Sequence, residues 1–114
     1  MKVLITCSGL SNTGRLTTQV AAILISRHPT DFSWIKASSD PENISKEAID
    51  ADLIVIIEGC SDHCASKKIT GLGIKGDFFL VATELGIEKN GMAEVQWNDV
   101  EKMLGAVKEQ LSGV

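Results

Sequence analysis

The feature that most constrains the fold is the uninterrupted apolar run at residues 53–57, which follows Asp52 and precedes Glu58. Five consecutive Leu, Ile and Val residues are too few for a typical helix, and they are rich in β-branched side chains. A run of this kind is typical of a strand buried on both faces of a parallel sheet. Since a parallel sheet needs crossover helices on its faces, the run predicts an α/β fold.

The rest of the chain supports this interpretation, because strand patterns alternate with helix patterns. We predict strands at residues 1–6, 32–37, 53–57 and 77–83. We predict helices at residues 15–27, 41–50, 61–70 and from about 98 to the end, and an irregular stretch at 84–96. The alternation predicts one domain over residues 1–114, with about four strands in a doubly wound, Rossmann-like or flavodoxin-like parallel sheet and three α/β/α layers.

Local signals suggest where the helices begin and end. Asn12 or Thr13 is the predicted cap of the first helix, and the Asp40-Pro41 pair starts the second. Gly71 is expected to close the third helix, and Asn98 with a glutamate three residues later has the pattern of a capping box before the last.

Length, charge and cysteine content limit the function classes. With 114 residues and 44% hydrophobic content the chain can bury one core, but it has no apolar run long enough for a bilayer and no charged leader, so we expect a cytoplasmic protein without membrane contact. Its eleven Lys and Arg are scattered and the net charge is −4, which argues against nucleic acid. Three cysteines cannot all pair within one chain, so free or metal-bound thiols are expected.

The cysteines fall where α/β proteins bind ligands. Cys7 follows the first predicted strand and Cys60 follows the third, and ligands bind outside the carboxyl ends of such strands where the winding reverses. His63 and Cys64 follow within four residues, so on a helix starting at 61 they share a face with Cys60. These four residues are therefore candidate ligands for a metal ion, zinc in the first place. The alternative is that the three cysteines are unconnected, small core residues.

Acidic residues near the cysteines are candidates for orienting a histidine ligand. Glu58, Asp62 and Glu84 could each accept a hydrogen bond from His63, and the sequence does not choose among them.

The loop after Cys7 suggests a second type of site. Gly9 and Gly14 enclose four residues, as in the first half of a phosphate-binding loop, but Arg15 and Leu16 replace the required Lys and Ser or Thr. A small anion or nucleotide could still bind to backbone N–H groups there, while the alternative is a turn that only caps the helix. The candidate anion-binding residues are Ser8, Gly9, Ser11, Asn12, Thr13 and Gly14.

Four segments carry a resemblance to a known family: residues 7–14 (CSGLSNTG), 51–52 (AD), 58–65 (EGCSDHCA) and 83–89 (TELGIEK). Together they resemble the DGC-domain family, whose members are described as zinc-binding proteins. The resemblance implies that Cys7, Cys60 and Cys64 are zinc ligands. Glu58 replaces the aspartate of the family name, and residues 32–40 lack the cysteine that the family usually has there.

With three thiolates at most, His63 or a water molecule would complete a zinc site, and an open fourth position is typical of catalytic zinc. Three functions remain open at this point. The chain could be a zinc-binding module, a thiol-redox or sulfur-handling protein that uses Cys7 or Cys60 as nucleophile, or a protein that binds a small anion at residues 8–14. The sequence indicates neither a reaction nor a protein partner.

Overall fold

The computed structural model describes residues 1–7, 9–59 and 61–112. Strands and helices alternate along the described chain. In order they are β1 (Lys2–Thr6), α1 (Asn12–Arg27), β2 (Phe32–Lys36), α2 (Pro41–Ile49), β3 (Leu53–Glu58), α3 (Cys64–Gly71), β4 (Phe78–Val81), a short 3₁₀ helix (Ala82–Leu85) and α4 (Trp97–Leu111).

All four strands form one parallel sheet in the order β2-β1-β3-β4. The chain first winds from β1 outward to β2, then crosses back over β1 to β3 and continues to β4. The winding therefore reverses between β1 and β3, as expected for a doubly wound sheet.

Alternating side chains of the central strands pack into two apolar cores. Leu4, Val55 and Ile57 face one core, which also contains buried residues of α1 and α4. The alternate residues of the same strands, including Ile5 and Ile56, face the opposite side of the sheet. There they form the second core with buried residues of α2 and α3. The predicted three-layer α/β/α architecture is confirmed.

The starts of α1 and α4 differ from the predicted ones. The cap of α1 is Ser11, whose Oγ accepts the Gly14 N–H at 3.2 Å, so the helix begins at Asn12, three residues earlier than predicted. In α4 the N-cap is Gln96, which makes no side-chain cap bond, and its carbonyl accepts the N–H groups of Asp99 and Val100. Asn98 lies inside that helix and caps nothing.

The amino edge of the sheet lies opposite the cysteines and carries exposed ion pairs. The Met1 ammonium bonds to the Asp52 carboxylate, and this hydrogen bond lowers the pKa of Asp52 below its usual range. His28 ends α1, with its Nδ1 3.9 Å from a carboxylate oxygen of Asp31. Exposed pairs add little to stability, so this edge offers sites for control substitutions.

None of the helices in the described ranges combines the length and apolar character needed to cross a membrane.

Candidate functional site

The carboxyl ends of β1 and β3 lie side by side and bring Cys7 to the end of β3. The Cys7 N–H bonds to the carbonyl of Ile57 at 3.1 Å, which extends the strand pairing by one residue. The Gly59 N–H donates to Cys7 Sγ at 3.3 Å. The predicted position of Cys7 beside the end of the third strand is thereby confirmed, while Cys60, the next residue after Gly59, lies outside the described residues.

Three glycines hold the loops after β1 and β3 in backbone contact. A Cβ on Gly59 would lie 2.8 Å from both the Gly14 nitrogen and the Thr13 carbonyl carbon. A Cβ on Gly14 would lie 2.5 Å from the carbonyl oxygen of Gly9. Real Cβ atoms do not approach backbone this closely, so a glycine is required at both positions and the two loops pack as one unit.

Glu58, the last residue of β3, is a buried acceptor that organises the following segment. Its side chain is 1% exposed, and its Oε1 accepts the Ser66 N–H at 3.1 Å. Its Oε2 lies 2.8 Å from both Ser66 Oγ and His63 Nδ1. A negative group at the start of a helix satisfies N–H groups that have no helical partner, so Glu58 caps α3 from the preceding strand.

With this cap, the third helix begins later than predicted. The helix begins at Cys64, not at residue 61, and His63 precedes it in the left-handed region with φ of 50°. The prediction that His63 lies on a helical face shared with its neighbouring cysteines is therefore wrong. Its ring is directed instead by Glu58, the one of the three candidate acidic residues that bonds to it.

One small cavity connects the candidate ligands at this edge. Its volume is about 80 Å³, and Cys7, Glu58, His63 and Cys64 are among the residues that line it. The Cys7 side chain is buried, whereas Cys64 and His63 are exposed at the mouth. Asp62 and Lys89 also line it and form an ion pair at 3.7 Å.

Within residues 1–7, 9–59 and 61–112, no three Cys, His, Asp or Glu side chains form a group that could hold a metal ion. Cys7, His63 and Cys64 all lie in these ranges and do not form such a group, while Cys60 lies outside them. The assignment of Cys7, Cys60, Cys64 and His63 as ligands stays a prediction.

The predicted anion site is the loop at residues 8–14, and several backbone N–H groups at the start of α1 already donate hydrogen bonds to other groups of the protein. Gly14 N–H bonds to the Ser11 side chain and Arg15 N–H to the Ser11 carbonyl. The Asn12 N–H bonds to the carbonyl of Gly91 at 2.8 Å. Gly9, Ser11 and Gly14 line the 80 Å³ cavity, Asn12 and Thr13 are buried, and Ser8 lies outside the described residues. Anion binding by this loop stays a prediction.

Residues 88–93, the covering segment, lie over the first turn of α1. The Asn12 side chain donates to the Glu88 carbonyl at 2.8 Å and accepts the Asn90 N–H at 2.7 Å. The Arg15 guanidinium bonds to the carbonyl of Ala93. The role of this stretch, which has an irregular sequence pattern, was not predicted, because the partners are 76 to 78 residues apart and no local pattern joins them.

Two further residues of the site, Thr17 and Ser66, were not predicted from the sequence. Thr17 Oγ1 lies 3.6 Å from Cys7 Sγ and donates to the Gly14 carbonyl at 2.7 Å. A buried threonine one turn into a helix is a weak signal for such a contact, and nothing in the sequence pairs Ser66 with Glu58.

Comparison with known proteins gives one family. A family model described as the DGC domain matches residues 3–107, nearly the whole chain. Neither the curated proteins nor the solved structures include a match.

Proposed function

The chain belongs to the DGC-domain family, and from this premise we propose that it is a zinc-binding protein with its site at the carboxyl edge of β1 and β3. The proposed ligands are three thiolates and one imidazole: Cys7, Cys60, Cys64 and His63. Soft thiolate and imidazole donors suit zinc better than magnesium or calcium, which prefer oxygen.

The contact between His63 and Glu58 is the observation that carries this proposal. A carboxylate has no hydrogen to donate, so at 2.8 Å the proton of the bond belongs to His63 Nδ1. The lone pair of the neutral ring then lies on Nε2. Zinc-bound histidines typically donate their other N–H to a carboxylate in this way, which fixes the ring and strengthens the ligand.

Positive or hydrogen-bond-donating backbone groups lie beside two of the proposed thiol ligands. Cys7 Sγ receives the Gly59 N–H, and hydrogen bonds from backbone amides stabilise a negative sulfur. Cys64 is the first residue of α3, so it lies at the positive end of the helix dipole. Cys60 supplies the third thiol in the proposal, because it follows Gly59 directly in the sequence.

Metal analysis of tag-free protein tests the proposal. We expect close to one zinc per chain after purification, and loss of most of it in Cys7→Ser and Cys60→Ser. His63→Ala should weaken zinc binding, whereas the matched control His28→Ala should not, since His28 is exposed at the opposite edge. A wild-type protein without zinc that also fails to bind added zinc would refute the proposal, as would a Cys60→Ser variant with full zinc content.

Thiol chemistry is the second candidate, and the Gly59 N–H on Cys7 Sγ is the observation that favours it. Under this alternative a metal-free protein would contain one thiol that reacts with alkylating agents much faster than the other two. Alkylation followed by peptide mapping, with and without added zinc, separates the two functions.

A further inference from the structure

A second and larger cavity lies at the same edge of the sheet, between the carboxyl ends of β1 and β2. Its volume is about 380 Å³, within the range of small-molecule sites. Its lining comes from the loop after β1, the first turns of α1 and the end of β2, namely Gly9, Leu10, Arg15, Thr18, Gln19, Lys36 and Ser38.

The charges around this cavity are of one sign. Arg15 and Lys36 both line it, and none of the described lining residues is an aspartate or glutamate. The whole chain carries a net charge of −4, so two cations that line one cleft depart from the general charge of the surface. A concave wall with charge of one sign attracts small molecules of the opposite sign.

Arg15 is held in position before any ligand arrives. Its Nε donates to the Leu10 carbonyl at 3.2 Å, and its Nη2 bonds to the carbonyl of Ala93 in the covering segment. A guanidinium has five N–H groups, more than these two carbonyls use. A cation fixed by the backbone loses little freedom when it binds an anion.

We propose that this cavity binds a small molecule that carries a phosphate or a carboxylate, with the anionic group between Arg15 and Lys36. The Thr18 hydroxyl and the Gln19 amide provide neutral hydrogen-bonding groups on the same wall. This site differs from the backbone loop considered above, because side chains of α1 and β2 supply the positive charge. Gly9 lines both cavities, so the bound molecule lies next to the cavity that contains Cys7.

An NMR titration of the full chain tests this inference, with inorganic phosphate as one probe and citrate as the other. We expect either anion to shift the amide signals of Thr18, Gln19 and Ser38, and the stronger probe identifies the preferred group. Lys36→Gln should weaken the binding about fivefold, as for the loss of one exposed charge contact. The matched control Lys108→Gln, on α4 at the other edge, should leave it unchanged.

Three outcomes would overturn the inference: no shifts with either anion, shifts centred on residues 12–14, or equal affinity in Lys36→Gln. Zinc binding is a separate question, because Cys60→Ser protein is expected to bind the anion as the wild type does. If that variant loses zinc but keeps the anion, both proposals stand. If it loses neither, the zinc proposal fails and the anion site remains.

Discussion

Replacing Glu58 with glutamine tests how the site is organised without changing any proposed ligand. The carboxylate accepts three hydrogen bonds, from Ser66 N–H, Ser66 Oγ and His63 Nδ1. An amide has one oxygen, and that oxygen can replace Oε1 as acceptor for the Ser66 N–H. The amide NH₂ then takes the place of Oε2 and faces His63 Nδ1 as a donor.

The expected response is a change of histidine tautomer. His63 Nδ1 must become an acceptor, so its proton moves to Nε2 and the lone pair proposed for zinc disappears. Each of the three hydrogen bonds becomes weaker without the negative charge, by about 1 kcal/mol per bond. Part of this loss is offset, because the neutral amide costs less to bury than the carboxylate. We therefore expect the free energy of unfolding to fall by about 1–3 kcal/mol, and zinc affinity by about 10–100-fold.

Two assays on the metal-free protein measure these effects. Urea unfolding followed by circular dichroism gives the stability, and the ¹⁵N shifts of the His63 ring at a pH where it is neutral give the tautomer. Glu47→Gln is the matched control, since the exposed Glu47 accepts one bond from Ser33 Oγ at 2.7 Å, and it should change stability by less than about 0.5 kcal/mol. A wild-type His63 with its proton already on Nε2, or a Glu58→Gln variant as stable as the wild type, would refute this reasoning.

Three further outcomes are expected. Gly59→Ala should lower stability by about 1–3 kcal/mol because its Cβ meets backbone, whereas Gly105→Ala, in α4 with open space around it, should raise stability by about 0.5–1 kcal/mol in the same urea assay. Asn12→Ala should speed amide hydrogen exchange in the covering segment, since two of its hydrogen bonds are lost; unchanged exchange there would contradict this role. In metal-free protein, iodoacetamide should label the exposed Cys64 before the buried Cys7. Mass spectrometry measures the order of labelling, and labelling of Cys7 first would contradict this prediction.

The fold could be predicted because its signals are local. The apolar run of β3 and the alternation of strand and helix patterns predict a parallel sheet. Because crossovers are right-handed, the observed reversal of winding between β1 and β3 places helices on both faces. The start of α1 was less predictable. Ser11, Asn12 and Thr13 can all cap a helix, and Asn12 is excluded from that role because its side chain binds the covering segment 76 residues away.

The candidate site was predictable in position and less so in local geometry. The topology that joins the ends of β1 and β3 places Cys7 at Gly59, as the sequence predicts. The start of α3 was not predictable, because its cap comes from Glu58, eight residues before its partner Ser66 and in a different element. Capping patterns describe neighbours along the chain, so a cap supplied by the end of a strand escapes them.

The backbone contact among Gly9, Gly14 and Gly59 has a consequence for affinity. Glycine has no rotamers, and its large backbone freedom in the unfolded chain is lost when these loops fold together. The conformational entropy of this edge is therefore lost during folding, so the proposed metal ion would bind to a preorganised site. Substitutions that loosen the glycine contact should then weaken the proposed metal binding without touching a ligand. The loss of affinity should increase with the fraction of molecules in which the two loops are separated.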